Sequence, residues 1–328
     1  MNKRKINGHS VNPIGLGCMN LSHAYGSPPS DEAAINLLHA AIDLGVEHFD
    51  TAALYGFGKN EALLGKALAP HRDKIFLASK CGMAGVNGKR VIDGRPQTLR
   101  STIEASLTSL NTEVLDLYYL HRMDKSVPIE ESVGELSRLV GEGKIKAIGL
   151  SEVSAESIMR ANSVHSIAAV QTEYSLWTRN PEIAVLETCK HIGAAFIAFS
   201  PLARGFLTEQ VTSLEVLVEG DIRRGMPRFN EPHFSKNKQL LSALKSIAQS
   251  TNLTLAQLCL AWVLHQGEHV HVIPGTQNNA HLADNVSAEK IVLSAEQLTQ
   301  LSALFSPFSV SGPRYSEATQ AEIDTEEF

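Results

Sequence analysis

Four side chains that could together move a proton to or from a carbonyl oxygen lie at or just after predicted strands. Asp50 ends the stretch VEHFD, Lys80 follows KIFLAS, His121 ends LDLYYLH, and Tyr55 lies on the loop after Asp50. An aspartate that closes a buried strand costs free energy unless it is paired, and Lys80 can pair with it. A lysine cation beside Tyr55 should lower the pKa of the phenol from about 10, so that Tyr55 can donate a proton at neutral pH.

His121 completes this set as a neutral donor that could orient and polarise the carbonyl. Taken singly, Asp50 could be a helix cap or half of a buried ion pair, and His121 a core histidine. At the ends of consecutive strands, the four residues are better explained as one site. Because proton transfer to a carbonyl supplies no electrons, a hydride donor is implied.

The elements that must position these residues alternate between strands and helices along the whole chain. Eight short apolar stretches predict strands at 13–19, 46–50, 74–79, 115–121, 144–151, 168–173, 194–200 and 269–274. Amphipathic patterns predict helices at 31–45, 95–111, 128–143, 180–193, 238–250, 254–267 and 294–305. Eight such units predict an α/β fold, a single (β/α)8 TIM barrel over residues 1–328. The carboxyl ends of its strands would bring the four side chains to one rim.

The connections of this barrel carry further predictions. The Asn-Gly turn in KINGHSV (5–11) predicts an N-terminal hairpin that caps the barrel bottom. The long connections 81–96 and 200–236 follow strand ends, so they should lie on the C-terminal face, where barrel enzymes keep their active sites. The acidic tail, 307–328, could fold over the mouth or stay loose.

The main alternative is an open, doubly wound sheet with a dinucleotide-binding glycine turn. GLGCMN (15–20) and GFGKNE (56–61) match only the first two glycines of that motif. Neither lies in a strand-to-helix turn with an acid about twenty residues further on, so the barrel is favoured.

Composition narrows the class of protein. The net charge of −6 disfavours nucleic acid as a partner. The N-terminus lacks the apolar region of a secretory signal, and no stretch approaches the roughly 20 apolar residues of a membrane helix. The four cysteines are scattered without metal-ligand spacing, which predicts free thiols, no metal centre and a cytoplasmic location.

Four motifs carry a resemblance to a known family: LSHAYG (21–26), HRMD (121–124), TEYSLW (172–177) and FSPLARGFLT (199–208). With them, the chain resembles the aldo-keto reductase superfamily, and most of all its bacterial and fungal aldo/keto reductases. The resemblance implies NADPH-dependent reduction of aldehydes or ketones to alcohols, with hydride from the nicotinamide and Tyr55 as general acid. The catalytic tetrad of the family falls on Asp50, Tyr55, Lys80 and His121.

The resemblance also implies a cofactor extended across the barrel mouth. The implied contacts near the nicotinamide are Gly17, Met19, Asp50, Ser151, Gln171 and Phe199. Those along the pyrophosphate are Ser200, Leu202 and Arg204, with Arg204 as the cation. Those around the adenosine are Gly275, Thr276, Gln277, His281, Asp284 and Asn285.

Two positions depart from the family pattern. Glu152 follows Ser151 where many relatives have asparagine, so a carboxamide contact is missing. The adenosine segment has only His281 as a cation for the 2′-phosphate, although Arg223, Arg224 or Arg228 in the loop DIRRGMPR (221–228) could supply one. The expected cofactor is therefore NADPH, with NADH possible.

The substrate is expected to be a small carbonyl compound, an aldehyde first of all, with Tyr25, Arg122 and Trp177 around it. The oligomeric state stays open. One alternative function is a nicotinamide-binding regulatory protein with little turnover. Another is a Schiff-base aldolase that uses Lys80, which the adjacent Asp50 disfavours because it raises the pKa of the lysine.

Overall fold

The strands of the computed structural model, which describes residues 3–86 and 89–328, follow the predicted order. They are β1 (Arg4–Ile6), β2 (His9–Val11), β3 (Leu16–Gly17), β4 (His48–Asp50), β5 (Phe76–Cys81), β6 (Met83–Val86), β7 (Lys89–Ile92), β8 (Leu117–Leu120), β9 (Ile148–Ser151), β10 (Ile167–Glu173), β11 (Ala195–Phe199) and β12 (Val270–Ile273).

The helices lie between and after these strands. They are α1 (Asp31–Asp43), α2 (Lys59–Leu68), α3 (Pro96–Ser109), α4 (Ile129–Gly141), α5 (Ala155–Val164), α6 (Val185–Ile192), α7 (His233–Thr251), α8 (Leu255–Leu264), α9 (Asn279–Ser287), α10 (Ala295–Leu304) and α11 (Glu317–Gln320). Local signals explain several helix starts. Ser30, for example, accepts a hydrogen bond from the Ala33 amide at the start of α1, and Asp31 and Glu32 in the first turn favour the positive end of the helix.

Eight strands form one parallel sheet in the order β3-β4-β5-β8-β9-β10-β11-β12. Its two edges meet where the Gly15 amide donates to the Val272 carbonyl and the Val272 amide donates to the Pro13 carbonyl, each at 2.9 Å. The sheet is thus a nearly closed barrel with helices outside, which confirms the predicted (β/α)8 architecture.

Apolar side chains fill both sides of the barrel wall. Alternate strand residues, such as Phe76, Leu117 and Ile197, point inward and are buried against each other. The predicted N-terminal hairpin, β1 with β2, is present, and its Ile6 and Val11 join this interior cluster. The larger apolar cluster lies between the strands and the surrounding helices.

The two long connections lie after β5 and β11, as predicted. The first contains a second antiparallel hairpin, β6 with β7, which the sequence analysis missed. The Phe57 ring lies on it where Gly85 leaves room: a Cβ at Gly85 would fall 2.0 Å from that ring. The second, between β11 and α7, is built from short 3-10 turns.

No single helix of the described residues is both long and apolar enough to cross a membrane, although α7 and α8, which meet at 89°, would together be long and apolar enough as a bent pair.

Candidate active site

Lys80 lies at the centre of the predicted catalytic group. Lys80 is a residue of β5, and its side chain is fully buried. Its ammonium group donates hydrogen bonds to Asp50 Oδ1, to the Thr51 carbonyl at 2.8 Å and to Tyr55 Oη at 3.1 Å. These three acceptors use the three donors of the ammonium group. Lys80 is therefore fixed in one position and holds the Tyr55 hydroxyl beside it.

Asp50 links this group to the far side of the barrel. Its Oδ2 accepts a hydrogen bond of 2.7 Å from Nε2 of Gln171 on β10. With Lys80 on Oδ1 and Gln171 on Oδ2, both carboxylate oxygens are satisfied, as a buried carboxylate requires. The paired charge explains how Asp50 is accommodated at the end of a buried strand.

His121 follows β8, and its ring meets the Tyr55 ring in a T-shaped arrangement. The two ring centroids are 5.7 Å apart and the planes are 83° from each other. Burial lowers the pKa of His121 well below its usual value, and the nearby charges of Lys80, Arg122 and Arg90 lower it further. The imidazole is therefore neutral at physiological pH and can serve as a hydrogen-bond donor.

The pKa of Tyr55 differs from the sequence-based expectation. Burial raises it above the usual value, and this effect exceeds the opposing effect of Lys80. Burial also lowers the pKa of Lys80, but the Asp50 charge and Tyr55 raise it by more, so that Lys80 is held as a cation. The predicted lowering of the Tyr55 pKa was wrong, because the sequence shows the neighbouring cation but not the extent of desolvation.

A cavity of about 1060 Å³ opens on this face of the barrel, above Lys80. Asp50, Tyr55 and His121 line it, whereas Lys80 is not among its lining residues. All the residues predicted to contact a cofactor line it as well: Gly17, Met19, Asp50, Ser151, Gln171, Phe199, Ser200, Leu202, Arg204, Gly275, Thr276, Gln277, His281, Asp284 and Asn285.

The walls of this cavity fit an extended dinucleotide. At one side the backbones of Gly17 and Gly275 approach each other, and a Cβ at Gly275 would lie 2.9 Å from the Gly17 carbonyl oxygen. The side-chain oxygen of Asn20 beside them is buried and has no partner among the described residues. Helix α9 begins at the same wall, with Asn278 as its N-cap. Close backbone, a free acceptor and a helix N-terminus suit a nucleotide.

Arg204 lines the cavity, but its charge is already matched. The guanidinium donates to Glu173 Oε2 at 2.7 Å, to Tyr25 Oη at 2.7 Å and to Tyr315 Oη at 3.1 Å. Arg204 forms a buried ion pair with Glu173, so its charge is less available to the pyrophosphate than the sequence suggested, and its predicted contact with the cofactor stays a prediction.

Of the basic loop 221–228, only part could meet an anion. Arg228 points away from the cavity and donates to the Trp177 and Gly312 carbonyls, so it is not a phosphate ligand. Arg223 lines the cavity but pairs with Asp221. Arg224 lines the cavity too, donates through Nε to the Leu217 carbonyl at 2.9 Å, and forms no ion pair within residues 3–86 and 89–328.

Two of the three predicted substrate residues, Tyr25 and Arg122, line the cavity. Trp177 does not, because its ring is stacked on Phe206 with centroids 4.3 Å apart and is only 3% exposed. The aromatic residue after strand β10 is thus part of the packed core, and its assignment to the substrate wall is corrected.

The departure at Glu152 has a structural reason. Its carboxylate does not reach the cavity: Oε2 pairs with Arg314, and Oε1 accepts from the Glu173 amide at 2.9 Å. Arg314 comes from the tail after α10, and both side chains are buried. Sequence reasoning missed this pair, since no local pattern joins residues 162 positions apart.

The tail makes further contacts with the same loops. Asp324 Oδ2 accepts hydrogen bonds from the hydroxyl groups of Ser154 and Ser157 at the start of α5, at 2.8 and 2.6 Å. Arg90 of β7 pairs with Glu322. Three tail residues, Tyr315, Ser316 and Thr319, line the cavity.

Comparison with known proteins identifies the family. The family model described as the aldo/keto reductase family matches residues 13–305. A probable aldo-keto reductase of Glycine max is 42% identical over 310 residues, which cover 94% of this chain and 89% of that protein.

Solved structures agree with this result. A glycerol dehydrogenase from Gluconobacter oxydans has a TM-score of 0.85 at 28% identity, with 96% of this chain and 99% of that chain covered. An aldo/keto reductase from Klebsiella pneumoniae, in complex with NADP and acetate, has a TM-score of 0.74 at 27% identity, with 99% of each chain covered. The model match over most of the chain and the close plant relative lead to one conclusion: the chain belongs to the aldo/keto reductase family.

Proposed function

We propose that this protein is an NADPH-dependent reductase that converts aldehydes or ketones to alcohols. The observation that carries the proposal is the 3.1 Å contact between Lys80 Nζ and Tyr55 Oη, with the hydroxyl facing a nucleotide-sized cavity. The family membership and the NADP named with the Klebsiella pneumoniae relative support it. When bound, the nicotinamide supplies the hydride that the side chains cannot provide.

In this proposal each catalytic residue has one role. Tyr55 donates the phenolic proton to the carbonyl oxygen as the alcohol forms. Lys80 holds and polarises the Tyr55 hydroxyl, and Asp50 keeps Lys80 charged and in place. His121, as a neutral donor, orients the carbonyl oxygen toward Tyr55.

The cofactor would be held by the cavity residues named above. Ser151 and Gln171 would face the carboxamide, and the Phe199 ring would stack on the nicotinamide. Arg224 is the cavity cation best suited to a phosphate, because Arg204 and Arg223 are already paired with acids. The cavity-lining residues of 307–328 would form part of the wall around the substrate.

The chemistry of Lys80 disfavours a Schiff-base aldolase. A nucleophilic lysine needs a lowered pKa and an open approach. Lys80 has a raised pKa and is fully buried, and its ammonium group already donates to three acceptors.

The experiment that tests the function is a paired cofactor assay on the purified protein. Oxidation of NADPH and of NADH is followed separately with aromatic, aliphatic and dicarbonyl substrates. Turnover with NADPH supports the proposal. Tight cofactor binding without turnover of any carbonyl would contradict it and favour the regulatory alternative.

The pKa directions predict different pH profiles for the two reaction directions. Tyr55 stays protonated through neutral pH, so kcat/KM for carbonyl reduction should be flat between about pH 6 and 8. Alcohol oxidation needs Tyr55 without its proton, so its kcat/KM should rise about tenfold per pH unit over the same range. His121 adds no break, because its pKa lies well below that range. Initial rates with each substrate, measured across this pH range in one mixed buffer, check both profiles. A bend in either kcat/KM profile near pH 6.5 that disappears in His121→Gln would contradict the prediction.

A further inference from the structure

The arginines that line the cavity fall into two groups, those paired with an acid and those that form no ion pair. Three cavity arginines are paired with acids: Arg90 with Glu322, Arg204 with Glu173 and Arg223 with Asp221. Among the described residues, Arg122 and Arg224 line the cavity and form no ion pair. Arg224 is exposed to solvent, whereas Arg122 is partly buried, and a partly buried cation without a counter-ion favours an anion from outside.

Arg122 lies at the catalytic end of the cavity. It directly follows His121, and its Nη1 donates to the His121 carbonyl at 2.6 Å and to Ser151 Oγ at 3.3 Å. Its charge is close enough to lower the pKa of His121 and to oppose the burial-driven rise in the pKa of Tyr55. Arg122 is therefore beside the place where a substrate carbonyl would lie.

The guanidinium of Arg122 is held but not saturated. Nη1 makes both of the hydrogen bonds named above, while Nε is buried and has no partner in the part of the chain that the structure describes. Donors of an arginine are suited to a carboxylate, which can accept two of them at once. The bonds to the His121 carbonyl and to Ser151 orient the group before a ligand arrives.

The apolar and aromatic residues of the cavity wall show what the rest of a ligand could contact. Met83, Leu54 and Tyr25 line the same cavity as Arg122, and Met83 and Leu54 are largely buried. Such a wall accepts an apolar or aromatic body. The second guanidinium of this region, Arg90, is half-exposed and already neutralised by Glu322.

We propose that Arg122 binds a carboxylate on the substrate, so that the preferred substrates are aldehydes or ketones that carry an acid group. This inference rests on the proposed reductase function and names the substrate class of the same site. Arg122 would act as a specificity-determining residue, and Arg224 would meet a cofactor phosphate instead.

The test uses three pairs of matched aldehydes: 2-, 3- and 4-carboxybenzaldehyde and the methyl ester of each. The three ring positions vary the distance between the aldehyde carbon and the carboxylate, and each ester keeps the shape without the charge. With saturating NADPH, the native protein should show a higher kcat/KM for at least one acid than for its ester. Arg122→Met should lower kcat/KM for that acid about 10- to 100-fold, the usual worth of a hydrogen bond to a charged group, and change the ester less than about threefold.

Two further variants separate binding from structural support. Arg122→Lys keeps the charge and should restore part of the preference for the acid. Arg224→Met should raise KM for NADPH while the ratio of acid to ester stays as in the native protein.

Each other outcome overturns the inference in a distinct way. Equal losses for acid and ester in Arg122→Met would mean that Arg122 only supports the His121 backbone. Native turnover without preference for any acid would refute the substrate class but keep the reductase. No turnover of any of the six aldehydes would count against the reductase function itself and remove the basis of this inference.

Discussion

Replacing Tyr55 with phenylalanine is expected to lower kcat for aldehyde reduction about 10²- to 10⁴-fold, the range for loss of a general acid. The change removes only the oxygen atom that accepts a hydrogen bond from Lys80 at 3.1 Å. The aromatic ring remains to pack against His121. Stopped-flow or steady-state oxidation of NADPH gives the rate, and quenching of protein fluorescence gives the Kd for NADPH, which should stay within about threefold.

Tyr118→Phe is the matched control for this variant. Tyr118 is the same residue type and is also buried, but it does not line the cavity: its hydroxyl lies 3.5 Å from Ser106 Oγ in the layer between barrel and helices. Its loss should leave kcat unchanged. If Tyr55→Phe kept more than a tenth of the native rate, Tyr55 would not be the proton donor.

Replacing Arg314 with methionine is expected to destabilise the protein by about 3–5 kcal/mol, the usual cost of removing one partner of a buried ion pair. The reason is that Glu152, only 1% exposed, would keep its carboxylate in the interior without a counter-ion. Urea unfolding followed by circular dichroism measures the loss.

Two other variants show whether the cost comes from the uncompensated charge. The double variant Glu152→Gln/Arg314→Met removes both charges and should recover most of the stability, because the pair itself contributes little net free energy. Arg160→Met removes the exposed ion pair with Glu130 and should cost about 1 kcal/mol or less. A single Arg314→Met variant as stable as Arg160→Met would show that Glu152 finds another partner or reaches water.

Local patterns in the sequence were enough to predict the barrel and to bring its candidate residues to one rim. Asp50 and Lys80 were placed from the apolar stretches that precede them, and the register of adjacent strands then determines their distance. Strand limits were less accurate: for the predicted strand 13–19, the regular strand is only Leu16–Gly17, because Ile14 forms an isolated bridge with Val272 and the chain turns into a 3-10 helix at Met19. The roles of the four residues stay a prediction.

The β6–β7 hairpin has a sequence signal of its own. The two residues between its strands, which lie outside the described residues, are Asn-Gly, a dipeptide typical of hairpin turns. The alternation of apolar and polar residues around them is weak, and a long connection in a barrel gives no reason to expect extra strands.

The differences from expectation at Arg204, Trp177 and Tyr55 share one physical cause. Each depends on what surrounds a side chain in three dimensions: a carboxylate on another strand, a stacked Phe206, or the loss of solvent. Contacts such as Arg204 with Glu173 and Tyr315 join distant segments, and nothing in the spacing of the residues indicates them.

The buried bond between Glu152 and Arg314 bears on how this protein could have diverged from its relatives. If only one of the two positions, Glu152 or Arg314, is substituted, the other residue keeps a buried charge without a counter-ion. Substitution at one site is then tolerated mainly after, or together with, substitution at the other. We expect relatives with asparagine at the first site to lack the arginine at the second, so the two positions, although 162 residues apart, are inherited as one character.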